Sequence, residues 1–225
     1  MSKVIGVVQI KGGTGRSTLA TNLAGELAKR AKTVLIDCDM PQGTSASWFA
    51  VRQQRMAIAD LISGLVADTA SNHRELVAKV EQHANADYIV LDGPPRGAEL
   101  TKAILVLADL CLCPVGASVA EIWATGDLLE LVKQANQIKT VDARMVWTRY
   151  RANTRLAQEL SALAGSTLGL TPLSASMALR VAYTEALGRG LTVAELADGS
   201  AKAEVKALTD EIENLLPRKN HEQTH

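Results

Sequence analysis

"VVQIKGGTGRSTLATNLA", residues 7–24, decides how this chain is read. A β-branched run enters a loop with glycines at 12, 13 and 15, after which Leu19, Leu23 and Leu27 recur at helical spacing. A glycine-rich loop between a strand and a helix gathers backbone N–H groups around an anion and points the positive end of the helix dipole at it. Polyphosphate is therefore the expected ligand of Gly12, Gly13, Thr14, Gly15, Arg16 and Ser17, and the Ser17 hydroxyl stands where it can ligate Mg²⁺. The stretch departs twice from G-x-x-x-x-G-K-[ST]: Ile10 replaces the first glycine and Arg16 the lysine.

Further along, short apolar runs at 3–10, 33–37, 88–92, 110–115 and 143–148 read as strands, with helical patterns between them, including 120–139 and 201–216. Several runs are apolar on both faces, as central parallel strands are when helices cover each side. The expected fold is a doubly wound α/β sandwich, a mostly parallel sheet with helices on both faces like a P-loop NTPase. It should form one domain over 1–217, followed by a polar tail at 218–225. Apolar residues make up 47% of the 225 and aromatics only 3%, so Ala, Val, Leu and Ile build the core.

Two further stretches bear on the loop. "DCDMPQG" places Asp37 and Asp39 at the end of the second expected strand, and "LDGPP" ends the third in Asp92. One acid at a strand end is accounted for by helix capping; three are better explained by a Mg²⁺–nucleotide site, which needs carboxylates for the metal's shell and for the attacking water.

Together, "KGGTGRST", "DCDMPQG" and "LDGPP" resemble the deviant Walker A, A′ and B motifs of the ParA/MinD ATPases, particularly the short ParA-type partition proteins. "TRYRANT" and "ALRVAYTEALGRGLTVAEL" are similar to later segments of that family. The resemblance implies ATP and Mg²⁺ as cofactors, a homodimer in the ATP state and non-specific DNA binding. It also implies a cargo adaptor that stimulates hydrolysis. By the same resemblance Lys11 is the signature lysine that reaches the partner's site, Thr18 assists at the phosphates, Asp39 orients the hydrolytic water, and Asp37 and Asp92 support the metal with Ser17. Arg16 is the departure. Guanidinium is wider and more rigid than ammonium, so the larger head is expected to crowd the phosphates, retaining ATP while slowing hydrolysis.

The 24 basic and 24 acidic residues cancel, so the monomer has no net field toward nucleic acid or anionic lipid. Between 143 and 219 ten Lys or Arg stand against eight Asp or Glu, and Arg151, Arg155, Arg180, Lys202 and Lys206 are the DNA-binding candidates. Cys38, Cys111 and Cys113 lack metal-ligand spacing and are expected to be buried thiols; the four histidines are expected at the surface. An odd cysteine count, no leader-like start and no apolar run of about 20 residues suggest a cytoplasmic protein without membrane contact, nucleoid-associated by resemblance. Two other readings differ in what they need. A MinD-type membrane cycle needs an apolar face on the final segment, which "PRKNHEQTH" lacks, and a small-molecule enzyme on the same scaffold needs a second substrate pocket.

Overall fold

The computed structural model of the chain describes residues 2–56, 62–151 and 154–216. Its strands are β1 (Lys3–Val7), β2 (Thr33–Asp37), β3 (Leu65–Thr69), β4 (Tyr88–Asp92), β5 (Leu110–Gly116), β6 (Ala143–Tyr150), β7 (Thr171–Pro172) and β8 (Met177–Ala178). The helices are α1 (Arg16–Ala28), α2 (Thr44–Met56), α3 (His73–Gln82), α4 (Ala98–Leu107), α5 (Val119–Ala124), α6 (Gly126–Asn136), α7 (Arg155–Leu168), α8 (Val181–Gly188) and α9 (Gly199–Leu215), with a 3-10 turn at Val193–Glu195.

The strands form one parallel sheet in the order β3-β2-β4-β1-β5-β6-β7, with β8 also pairing with β6. Alternate residues of β1 and its continuation serve two cores. Val4 and Val8 pack with side chains of α3 to α7, whereas Ile5 and Val7 pack with α1, α2, α8 and α9. Helices thus cover both faces, and the double-sided apolar character of the central strands follows from that burial. β1 lies between β4 and β5, where the chain reverses its direction of travel across the sheet. The crevice beyond the carboxyl ends of these strands is where open α/β sheets take ligands.

The five expected strands are present, with limits that shift where side chains demand it. β1 ends at Val7, because residues 8–10 already bend into the loop, although the Val8 N–H still donates to the Leu112 carbonyl at 2.9 Å. The single helix expected over 120–139 is two, α5 and α6, separated at Thr125. There the Thr125 hydroxyl donates to the Glu121 carbonyl at 2.9 Å and accepts the Gln9 amide at 3.1 Å. The final helix begins at Gly199, two residues before its expected start, because the Asp198 carboxylate caps the Ala201 N–H. All three cysteines are buried in one core, as expected of apolar thiols. His83 corrects the surface reading of the histidines: it is half-buried, with Nε2 2.9 Å from Asp68 Oδ2. The expected polar tail, His221 and His225 lie outside the described residues.

Candidate functional site

The loop between β1 and α1 takes its shape from Gly13 (φ 76°) and Gly15 (φ 93°), both in the left-handed region that side chains disfavour. Gly15 is the N-cap of α1 and has no capping side chain, so the first-turn N–H groups of α1 remain for a ligand. Two non-local contacts hold the loop from behind. The Thr148 hydroxyl, on β6, donates to the Thr14 carbonyl at 2.7 Å, and the buried Gln9 amide donates to the Pro114 carbonyl and Thr125 hydroxyl at 3.3 and 3.1 Å.

Arg16 is only 7% exposed. Its head folds back under the loop, where one terminal nitrogen donates to the carbonyls of Gln9 at 2.5 Å and Lys11 at 2.9 Å, and Nε is buried without a partner. No carboxylate forms an ion pair with it among the described residues. Burial lowers its pKa, and the charges of Asp92 and Asp39 oppose that shift. The wider head is thus held at the base of the loop by backbone carbonyls.

The acids divide the work. Asp37 is buried, and both its oxygens accept backbone N–H groups, from Asp39 at 2.9 Å and Ala46 at 2.8 Å; it orders the segment leading into α2. The capping explanation therefore accounts for much of Asp37, although each oxygen retains a second lone pair. Asp92 differs. Its Oδ2 accepts the Ser45 hydroxyl at 2.6 Å, while Oδ1 is buried with no partner. Burial, followed by the charge of Asp37, pushes its pKa up to about 7; the Ser45 and Ser17 hydroxyls and Arg16 oppose this. Asp39 is half-buried, and its pKa is raised by burial and by Asp37 against the pull of Arg16.

The loop separates two cavities. One, of about 760 Å³, is lined by Lys11, Gly12, Asp39 and Arg96 among others. The other, of about 170 Å³, is lined by Gly13, Gly15, Thr18, Thr148, Arg149 and Tyr183 among others. The structure therefore gathers Lys11, residues 12–18, Asp37, Asp39 and Asp92 at one crevice. It does not gather the DNA-binding candidates there as free charges. Arg180 is fixed on Glu204 at 2.6 Å, Arg155 pairs with Glu159 at 2.9 Å and Lys206 with Asp210 at 2.5 Å. Arg151 and Lys202 are exposed and form no ion pair among the described residues. Sequence reading missed Gln9, Ser45 and Thr148, whose partners lie 47 to 134 residues away, beyond any local pattern.

A family model of the CobQ/CobB/MinD/ParA nucleotide-binding domain matches residues 5–193. "Maintenance of carboxysome distribution protein A" of Halothiobacillus neapolitanus is 26% identical over 215 residues, covering 94% of each chain. "Chromosome-partitioning ATPase Soj" of Thermus thermophilus is 28% identical over 235 residues, 92% of this chain and 94% of that one. Among solved structures, apo McdA of Cyanothece shares the fold with a TM-score of 0.77 at 18% identity, over 94% of this chain and all of the other. The loop geometry, the carboxylate pair at the strand ends and the extent of the match place the chain in the CobQ/CobB/MinD/ParA nucleotide-binding family, as a ParA/MinD-type ATPase.

Proposed function

We propose that this protein is a ParA-like switch, acting as one domain over residues 1–217. It binds ATP, dimerises in that state, binds nucleoid DNA without sequence preference, and positions a large intracellular cargo. An adaptor that stimulates hydrolysis releases it. The relatives named for carboxysome distribution and chromosome partitioning support the positioning role. One structural observation carries the nucleotide reading: a buried guanidinium without a carboxylate and a buried carboxylate with an unpartnered oxygen flank the same uncapped helix N-terminus. In a protein interior such groups are costly unless a ligand completes them.

In this reading the N–H groups of Gly12, Gly13, Thr14 and Gly15 cradle the phosphates, and those of Ser17 and Thr18 meet them from the start of α1. The residues present fit Mg²⁺: the orphaned Asp92 Oδ1 and the Ser17 hydroxyl are hard oxygen donors, with Asp37 beside them. Bound there, the ion would neutralise phosphate charge. Asp39, with its raised pKa, orients and accepts a proton from the attacking water, and Lys11 serves the partner's site.

Hydrolysis is slowed by Arg16. Its terminal nitrogen is engaged by the Gln9 and Lys11 carbonyls, so the charge sits at the base of the loop and cannot follow the phosphoryl group as it moves. Ground-state attraction for ATP survives because the charge remains. In the dimer Arg151 and Lys202 would contact DNA phosphates directly, while Arg155, Arg180 and Lys206 would first have to leave their acids. That exchange costs little at the exposed pairs of Arg155 and Lys206 and gains counterion release, whereas the half-buried Arg180–Glu204 pair yields less readily.

The test is retention on non-specific duplex DNA with ATP, with ADP and without nucleotide. Retention with ATP alone is expected. Retention indifferent to nucleotide, or none with ATP, overturns the switch.

A further inference from the structure

We propose that Arg96 is a specificity-determining residue of the same site: its guanidinium binds the terminal phosphate of a nucleoside triphosphate and is silent toward the diphosphate. The inference rests on the nucleotide reading above. Arg96 lies four residues beyond Asp92, on the short connection from β4 to α4. Pro94 and Pro95 stiffen that connection on one side, and Gly97 (φ 128°) turns it into the N-terminus of α4 on the other. The backbone that carries Arg96 is therefore presented at a set place, on the wall of the 760 Å³ cleft that also holds Lys11 and Asp39.

The charge on that wall is uncommitted. Arg96 is exposed and forms no hydrogen bond or ion pair among the described residues, and Glu99, which lines the same cleft, is held by Lys102 at 3.3 Å. A planar guanidinium suits bidentate recognition of phosphate oxygens. The geometry of the loop determines which phosphate. Asp39 and the approach to Asp92 are on the side of the large cleft, whereas Thr18, Thr148 and Tyr183 line the small cavity on the other side. A nucleotide laid across the loop with its terminal phosphate toward the carboxylates extends that phosphate toward Arg96. A diphosphate, one phosphoryl group shorter, ends at the loop. Arg16 cannot substitute, because its head is tied beneath the loop by two carbonyls. The cation that senses the third phosphate is thus displaced from the loop to the segment after β4.

The experiment is calorimetric titration of the full chain, and of its Arg96→Ala and Arg96→Lys variants, with a non-hydrolysable ATP analogue and with ADP, both with Mg²⁺. The Ala variant should lose about tenfold in affinity for the analogue, as expected for one charged hydrogen-bonding group, and stay within about twofold for ADP. The Lys variant should recover part of the loss, and melting temperatures should not move. Equal losses for both nucleotides, or an unchanged affinity for the analogue, overturns the inference while leaving the nucleotide site intact. A wild-type chain that binds neither nucleotide overturns both.

Discussion

Arg52 is fully enclosed and Arg16 nearly so, yet their surroundings differ in kind. Arg52 meets the Glu195 carboxylate through both terminal nitrogens at 2.8 and 2.7 Å, donates to the Gly190 and Ile62 carbonyls, and lies 5.4 Å from the Trp48 ring centroid. Arg16 has two carbonyls and no acid. Glu195 in turn caps the turn that starts at Thr192. Both guanidinium groups keep a buried Nε without a partner, but the charge of Arg52 is met by an acid of the chain and ties α2 to the segment before α9, whereas that of Arg16 has no acid in ion-pair contact among the described residues and, in the proposed reading, awaits an anion from outside. A buried charge therefore says nothing about function until its partners are counted.

Stability measurements can break this comparison. Replacing Arg52 by Met leaves Glu195 without its cation and should cost about 3–5 kcal/mol in urea unfolding, the usual penalty for removing one side of a buried pair. Arg16→Met removes a charge that makes no ion pair among the described residues and feels Asp92 and Asp39 only at longer range, so stability should change by no more than about 1 kcal/mol either way. Equal losses at the two positions would mean that Arg16 is as structural as Arg52.

Asp92 extends the contrast to the carboxylates. Its pKa in the folded protein, about 7, exceeds the value of about 3.9 in an unfolded chain. Its contribution is therefore most favourable below pH 4 and is lost as pH rises through 7. Without nucleotide or divalent ion, Asp92→Asn should stabilise the protein by up to about 4 kcal/mol at pH 8, with the gain shrinking toward zero near pH 4. A gain independent of pH would sink the assignment of a strained carboxylate. A similarly small effect is expected at Thr148→Val, which leaves the Thr14 carbonyl without its donor: about 1 kcal/mol in thermal melts and a few-fold weaker ATP binding.

The readable parts of this molecule were those whose physics is local. The strands at 33–37 and 88–92 are five buried residues each and announce themselves as apolar runs ending in acids. β3 does not: at the sheet edge only Leu65 is buried, and Val66 and Asp68 face partly outward, so no period stands out. In the site, the loop and Asp92 were legible because glycine spacing and a strand-end carboxylate carry their own chemistry. Ser45 was not, since its role exists only when α2 folds back on β4. Nor could the sequence show that Asp37 is occupied by backbone N–H groups while Asp92 keeps an oxygen free, a difference made entirely by burial and neighbours. The DNA-binding candidates show the same limit, since a basic residue read as available, Arg180, is locked by Glu204 from another helix.

The most direct test of the central claim, that Arg16 holds ATP but slows its hydrolysis, is steady-state phosphate release at saturating ATP from the wild type and Arg16→Lys side by side. An ammonium free of the two-carbonyl anchor should raise turnover at least about tenfold, equivalent to about 1.4 kcal/mol of transition-state stabilisation. Equal turnover in the two proteins would contradict the account.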